Sequence, residues 1–247
     1  MISNSLTIST YSRGNLSIWM TLAFQAGLIN IGGLLSAKTF VSHVTGFVSL
    51  ASLEFESHGA FHALGLITML LVFLVGSALS GVLIDSKLMK EQRPQYSLVF
   101  GLMFLLTLVV AIGGFNKAFG EFGSPAWDLR GFSLVALLCL ICGIQNGMIT
   151  LVSKSVVRTT HMTGLTTDLG VGLVRAFNEK RLKGSSSESK ANRMRIGIIV
   201  SFFLGSFVGV PLFRNWHFQG FIFPCLISAS LFALTAYFQW VRPLKGN

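Results

Sequence analysis

His43-Val44-Thr45-Gly46 and His161-Met162-Thr163-Gly164 each set an imidazole, a hydroxyl and a glycine within four residues, where a long uncharged apolar stretch breaks off. The threonine hydroxyl can cap free backbone N–H groups, and the glycine lets a ligand or another backbone come close. A helix beginning inside a membrane presents unsatisfied N–H groups and the positive end of its dipole, which suits anionic or strongly polar groups. A neutral imidazole beside such a start can bind a substrate, and a protonated one can follow a proton gradient. The competing account is structural: the HxTG elements close a helix break, with histidine bonding a neighbouring carbonyl.

The two elements belong to a longer repeat. Gly27/Gly143, Asn30/Asn146, Leu35/Leu151, Lys38/Lys154, Val41/Val157, His43/His161, Thr45/Thr163 and Gly46/Gly164 align with one gap of two residues. Hydrophobic composition alone does not produce polar matches. Asn30 and Asn146 are amides in otherwise oily segments, and a buried amide needs partners, whether another helix or a substrate. Gln25 and Gln145 do not align and carry less weight. Asp168 is the one acid inside an apolar segment; placing it there costs about 2.5–3.5 kcal/mol on insertion scales, which marks it for proton or ion coupling. Pairing of Asp168 with Arg158 or Lys154 is its structural alternative. Lys38 and Lys154 suit snorkelling to the headgroups. Cys139-x-x-Cys142 lies in an apolar helix and reads as packing. Glu54, Glu56, His58 and His62 read as a solvated loop before a metal cluster. No metal and no cofactor is expected.

These residues need a frame that holds them in lipid. Apolar residues make up 52% of the 247 and charged ones 11%, with a mean hydropathy of +0.68, more oily surface than a soluble domain of this length can bury. Stretches without Asp, Glu, Lys or Arg cover 14–37, 57–84, 94–116, 131–153, 196–213 and 215–241. Each approaches or exceeds the roughly 20 residues that cross about 30 Å of hydrocarbon. The apolar segments 44–55 and 162–177 are short, reaching only about 18–24 Å. No cleavable signal peptide is evident, and the first apolar run reads as a span.

The net charge of +10 is distributed unevenly. Arg13, Lys87, Lys90, Arg93, Arg242, Lys245 and the basic stretch from Arg175 to Arg195 fall on one side of the expected topology, against Lys117, Arg130 and Arg214 on the other. The positive-inside rule then makes both termini cytoplasmic, in a bacterial inner membrane or plasma membrane. If the short segments crossed fully, the acidic 54–62 and basic 175–195 loops would switch sides; the pattern holds if each short segment re-enters without crossing. Three net crossings per copy force opposite orientations. The expected fold is an all-α polytopic membrane protein with six spanning helices and two short broken or re-entrant helices in a 3+3 inverted repeat. Its parts are an N-terminal tail (1–15), repeat one (16–115), an external linker (116–130), repeat two (131–241) containing a flexible basic loop (175–195), and a C-terminal tail (242–247). Gly76-Ser77-x-x-Ser80 and Gly205-Ser206-x-x-Gly209 extend the duplication as small-xxx-small patterns. The last spans of the halves show no convincing match.

At Ala26-Gly27, Ser42-His43-Val44-Thr45-Gly46, Gly143-Ile144-Gln145-Asn146 and Thr159-Thr160-His161-Met162-Thr163-Gly164 the chain resembles the YoaK-like family of small multipass bacterial membrane proteins, over about 18–241. That resemblance implies a membrane protein and brings no substrate. The family's first block usually carries aspartate at the position of Asn30, and asparagine where this chain has Phe47.

The residues fit a secondary transporter of a polar or anionic small molecule, bound at a midplane site between the repeats by Asn30, His43, Thr45, Gly46, Asn146, His161, Thr163 and Gly164, with coupling at Asp168. A passive channel, a membrane scaffold and an intramembrane enzyme are the alternatives. No HExxH or GxSxG motif occurs, so enzyme chemistry is not expected. The expected partners are the bilayer, a small-molecule substrate and, as an allowed state, further copies of the chain; nucleic acid is not among them.

Overall fold

A computed structural model of the chain describes residues 13–126, 128–152, 162–177 and 185–241. The regular structure among them is helical: α1 (Arg13–Ala37), α2 (Val44–His58), α3 (Ala60–Ser80), α4 (Ser86–Met89), α5 (Tyr96–Phe115), α6 (Leu129–Val152), α7 (Met162–Phe177), α8 (Ser185–Trp216) and α9 (Ile222–Ala236). A π-helical turn joins α3 to α4, and 3-10 turns join α8 to α9. Helices such as α3 and α5 are apolar around most of their circumference, as membrane spans are. Five stretches are long and apolar enough to cross a membrane: Asn15–Ala37, Ala60–Met89, Tyr96–Phe115, Leu129–Leu151 and Glu188–Trp240.

The last stretch holds two of the six spans expected from sequence. Its 53 residues would extend about 80 Å as one helix, far beyond the hydrocarbon. His217 breaks it with a left-handed backbone (φ 46), and the rings of Phe213 and Phe221 come within 4.8 Å. Eight residues of straight helix would separate them by about 12 Å, so the chain turns back here.

The halves interlock. α1 packs chiefly on α8, α3 on α6, and α5 on α9. Met20 meets Gly197 and Ser201, Gly27 meets Phe202 and Ser206, and Ile31 meets Gly209, so α1 and α8 run parallel. α3 and α6 also run parallel, from the Phe61–Phe132 contact at one end to Ser80 and Ile144 at the other. By contrast, α5 and α9 are antiparallel: Ser97 pairs with Gln239, Gly101 with Phe232, and Phe104 with Cys225. The corresponding last helices of the two halves therefore point in opposite directions, as inversion of the repeats requires.

Equivalent contacts recur in both halves. A Cβ at Gly27 would strike the carbonyl oxygen of Phe202, and one at Gly143 would strike that of Phe73. Gly205 lies against the carbonyl of Phe24, and Gly76 against that of Leu140. Ser206 donates to the carbonyl of Gly27 at 3.3 Å, and Ser77 to that of Gly143 at 3.0 Å. Each pair is the other with the repeats exchanged.

The first short helix is a re-entrant limb. Ser36 at the end of α1 accepts a bond from Gly123 of the linker that leads into α6, and the first turns of α3 and α6 meet through Phe61 and Phe132. The end of α1 and the starts of α3 and α6 thus share one end of the bundle. After Lys38 (φ 56) the chain folds back along α1, with Val41 against Gly33 and Ser42 bonded to Asn30, a retreat of about 10 Å. α2 then returns to the same end, where Gly59 (φ 86) hands it over to α3. This stretch makes no net crossing.

Gly27→Leu and Gly143→Leu are each expected to destabilise the protein by about 1–3 kcal/mol or more through overpacking. Gly170→Ala, in open space on α7, leaves stability unchanged or slightly raised. Thermal unfolding in detergent checks this, and a Gly143→Leu protein melting like the parent would contradict the contact. In sealed vesicles, Glu56→Cys and Lys190→Cys are expected to react with an impermeant thiol reagent from opposite faces; labelling from the same face would rule out the inversion.

Candidate functional site

The best-described half-site surrounds Asn30. Its Oδ1 accepts the Ser42 hydroxyl at 2.9 Å and the Ser42 backbone N–H at 3.3 Å, pinning the re-entrant chain to α1. One residue later His43 stands at the N-cap of α2, where no side chain caps the helix. Its carbonyl accepts from Gly46 at 2.9 Å and from Phe47 at 3.3 Å. The amides of Val44 and Thr45 precede the first intrahelical bond and stay available. A Cβ at Gly46 would lie 2.7 Å from His43 Nδ1, so glycine lets the imidazole rest on the first turn of its own helix. His43 and Thr45 are exposed and Gly46 half-buried, giving the helix start an open side.

Repeat two repeats part of this. Thr163 is exposed and Gly164 half-buried at the start of α7. Thr167 donates to the Thr163 carbonyl at 2.9 Å, as Ser49 does to that of Thr45 at 3.5 Å, so equivalent hydroxyls line the first turns of both short helices. Among the described residues the buried Oδ1 of Asn146 has no hydrogen-bond partner; Thr160, the counterpart of Ser42, lies outside them. His161, Lys154 and Arg158 lie outside the described residues. Asp168 is exposed on α7 and forms no ion pair among the described residues.

The two half-sites occupy different depths. Gln145, next to Asn146, donates to the carbonyl of Leu22 at 2.8 Å. Asn30 lies eight residues further along α1, about 12 Å away along the helix. α2 packs chiefly on α3 and α7 on α8, rather than on one another. Asn30 and Asn146 therefore lie at different depths of the bundle, and the second HxTG element is described only from Met162 onward.

Two glutamines that sequence alignment set aside lie inside the bundle. Gln25 and Gln145 are both 0% exposed. Gln25 Nε2 donates to Ser228 Oγ at 2.6 Å and to the Pro224 carbonyl at 3.3 Å, tying α1 to α9, while Gln25 Oε1 is buried without a partner among the described residues. Their signal was available in the sequence as long amides in the middle of uncharged spans, where polar groups need internal partners. The duplication hid it, because each glutamine faces isoleucine in the other copy.

Each short helix also has a carboxylate beside it, buried in repeat one and half-buried in repeat two. In repeat one Glu54 is 7% exposed and lies 2.6 Å from His58 Nδ1, with the His62 ring tilted against that of His58 at 5.4 Å. Among the described residues no three His, Cys, Asp or Glu side chains are grouped to hold a metal ion. At the position equivalent to Glu54, α7 has Gly172, which packs against Glu188, Asn192 and Arg195 of α8. The carboxylate has moved from the short helix to the long one. Residues 185–195, read from sequence as part of a flexible loop, are the first turns of α8: Glu188, Asn192 and Arg195 follow i, i+4, i+7 spacing and meet on one face.

Fold and site together define a polytopic integral membrane protein built from an inverted repeat. Residues 18–234, from α1 into α9, match the family described as Protein of unknown function (DUF1275), and the chain belongs to that family. No curated protein and no solved structure matches it.

Asn30→Leu strips the acceptor from the Ser42 amide and hydroxyl and is expected to cost about 1–3 kcal/mol. Asn146→Leu removes an acceptor that has no donor among the described residues and is expected to change stability by less than about 0.5 kcal/mol. Denaturation of the two variants side by side measures the contrast, which equal losses would contradict.

Proposed function

We propose that the protein is a secondary transporter of a polar or anionic small molecule. In this reading two re-entrant helix starts, one in each inverted repeat, face substrate alternately as the repeats rock. What supports it is a pair of equivalent amides beside the two short helices: Asn30 holds the chain before α2 through Ser42, and Asn146 Oδ1 is buried with no donor among the described residues. Equivalent polar helix starts in inverted repeats suit a carrier that exposes one side at a time. Thr163, Gly164 and His161 supply one half-site, and Thr45, Gly46 and His43 the other.

Coupling is assigned to Asp168, an exposed acid two turns into α7. YoaK-like proteins, which the chain resembles, usually carry an acid at the position of Asn30, so coupling in this chain moves to the other repeat. Its orientation follows from the basic residues, with both termini cytoplasmic.

Reconstitution into liposomes tests the reading. A library of polar and anionic metabolites, scored by ligand-induced thermal shift, supplies the substrate to follow. Uptake is expected to saturate and to follow an imposed proton or cation gradient. Asn146→Leu is expected to cut uptake at least tenfold while remaining folded, and Asp168→Asn to uncouple uptake from the gradient. Flux that rises linearly with concentration, or uptake undiminished in Asn146→Leu, would defeat it.

A further inference from the structure

The chain between α5 and α6 lies across one end of the bundle, and named contacts hold it there. Gly123 donates its backbone N–H to the Ser36 carbonyl at 2.9 Å, and a Cβ on Gly123 would lie 3.6 Å from the Leu35 carbonyl oxygen and 3.9 Å from Lys38 Nζ. The Phe122 ring stands 5.0 Å from that of His217 and 5.2 Å from that of Phe218, and the Phe119 ring 6.3 Å from that of Phe218. Phe119 also covers Gly113 and Phe218 covers Gly114, so the end of α5 joins the same aromatic cluster. Residues 117–126 therefore tie together three places: the corner where α1 gives way to the re-entrant limb, the turn between α8 and α9, and the end of α5.

Left-handed backbone gathers at this junction. Of the four non-glycine residues with positive φ among those described, Lys38 (φ 56) forms the corner, Lys117 (φ 56) begins the crossing segment and His217 (φ 46) makes the turn that the segment clasps. Gly120 (φ 82) and Gly123 (φ 89) bend the segment itself. A residue with a Cβ is strained in that region and stays there only while its surroundings hold it, which is why such positions collect at clamps and switches. Among the described residues the segment is held to α1 by one backbone hydrogen bond and to the α8–α9 turn by two half-buried phenylalanine rings. Contacts of that extent can part and re-form without unfolding the helices beneath them.

We propose that residues 117–126 form a latch on the re-entrant limb of repeat one, at the face that the charge distribution makes external. Closed, the latch pins the Ser36–Lys38 corner to the α8–α9 turn and keeps the limb that presents His43, Thr45 and Gly46 seated along α1. Opening withdraws Phe122 from His217 and Phe218 and Gly123 from Ser36, which frees the corner to move. One linker joins two repeats, so inversion supplies no second latch at the other face. The latch thus restrains one of the two half-sites and leaves the other to its own contacts. Its use in substrate exchange rests on the transport reading, whereas its opening and closing do not.

The test follows thiol accessibility in the full chain in detergent, with a maleimide as the probe. Ser36 is 2% exposed at the corner, Ser97 is 0% exposed at the opposite end of the bundle, and the native cysteines are buried. With no other change, Ser36→Cys is expected to react slowly but to completion well below the melting temperature, because the latch opens without unfolding. Adding Phe122→Ala is expected to speed that reaction about tenfold or more and to leave the rate at Ser97→Cys unchanged. Should Phe122→Ala not assemble, His217→Gly removes the ring while suiting the left-handed turn, and carries the same expectation. A Ser36→Cys thiol that reacts only on unfolding overturns the latch, as does a rate that neither substitution alters. Equal acceleration at Ser36→Cys and Ser97→Cys also overturns it, since that pattern is general loosening. No substrate enters the measurement, so failure of the latch and failure of the transport reading remain separate results.

Discussion

Backbone-to-backbone approach at Gly27, Gly76, Gly143 and Gly205 is the contact on which the remaining geometry rests. In lipid no hydrophobic force draws one helix to another, since the surrounding chains are as apolar as leucine. Association must come from dispersion at close range and from hydrogen bonds that lipid does not offer. The serine bonds to the Gly27 and Gly143 carbonyls are small terms, averaging about 0.6 kcal/mol for such groups in membrane proteins. They are too weak to hold four helices alone. The glycines carry the greater share by letting whole helix faces meet, and the serines fix the register. Because each glycine pair joins the first helix of one half to the third helix of the other, neither half builds its packing alone.

That exchange sets the depth of everything polar. Exchanging the repeats sends Leu22 to 138 and Gln145 to 29, so the Leu22–Gln145 contact and its counterpart centre the crossing of α1 and α6 near residues 25–26 and 141–142. Gln25 sits at this centre, fully buried, and Asn30 and Asn146 lie about 7 Å to either side. An amide at the middle of the bundle is costly unless bonded, and Gln25 spends its N–H groups on Ser228 and Pro224. The bond falls where α9 has just re-formed after the turn at His217. One amide thereby secures the last helix of repeat two to the first helix of repeat one.

Much of this was legible in the sequence. Uncharged stretches marked the spans, and the matched Gly, Asn, His, Thr and Gly residues revealed the duplication. Charge bias, together with the odd number of net crossings, implied inversion, and the shortness of 44–55 implied a re-entrant limb. What could not be read depends on which helix meets which. The Ser42 bond to Asn30 needs the chain to fold back along α1, a fact of tertiary path rather than composition. The pairing of α5 with α9 left no trace because their contacts, such as Gly101 on Phe232 and Ser97 on Gln239, are not between equivalent residues. Alignment discounted Gln25 for the same reason: a residue near a two-fold axis needs no partner in the other copy. The charge-rich start of α8 looked like solvated loop because its composition is polar, and only the i, i+4, i+7 spacing of Glu188, Asn192 and Arg195 betrayed a helix face.

The departures from symmetry bear on function more directly than the symmetry does. Two identical halves would have equal half-sites and equal docking of their short helices, so neither state of a rocking device would be preferred. This chain breaks the equality beside its short helices: the carboxylate there pairs with a histidine of α2 itself in repeat one, and with arginines of α7 and α8 in repeat two. The ion pair of α7 thus joins two helices, while the Glu54–His58 pair stays within α2. Duplication supplied one packing scheme used twice, and divergence at a few polar positions makes the two halves unequal.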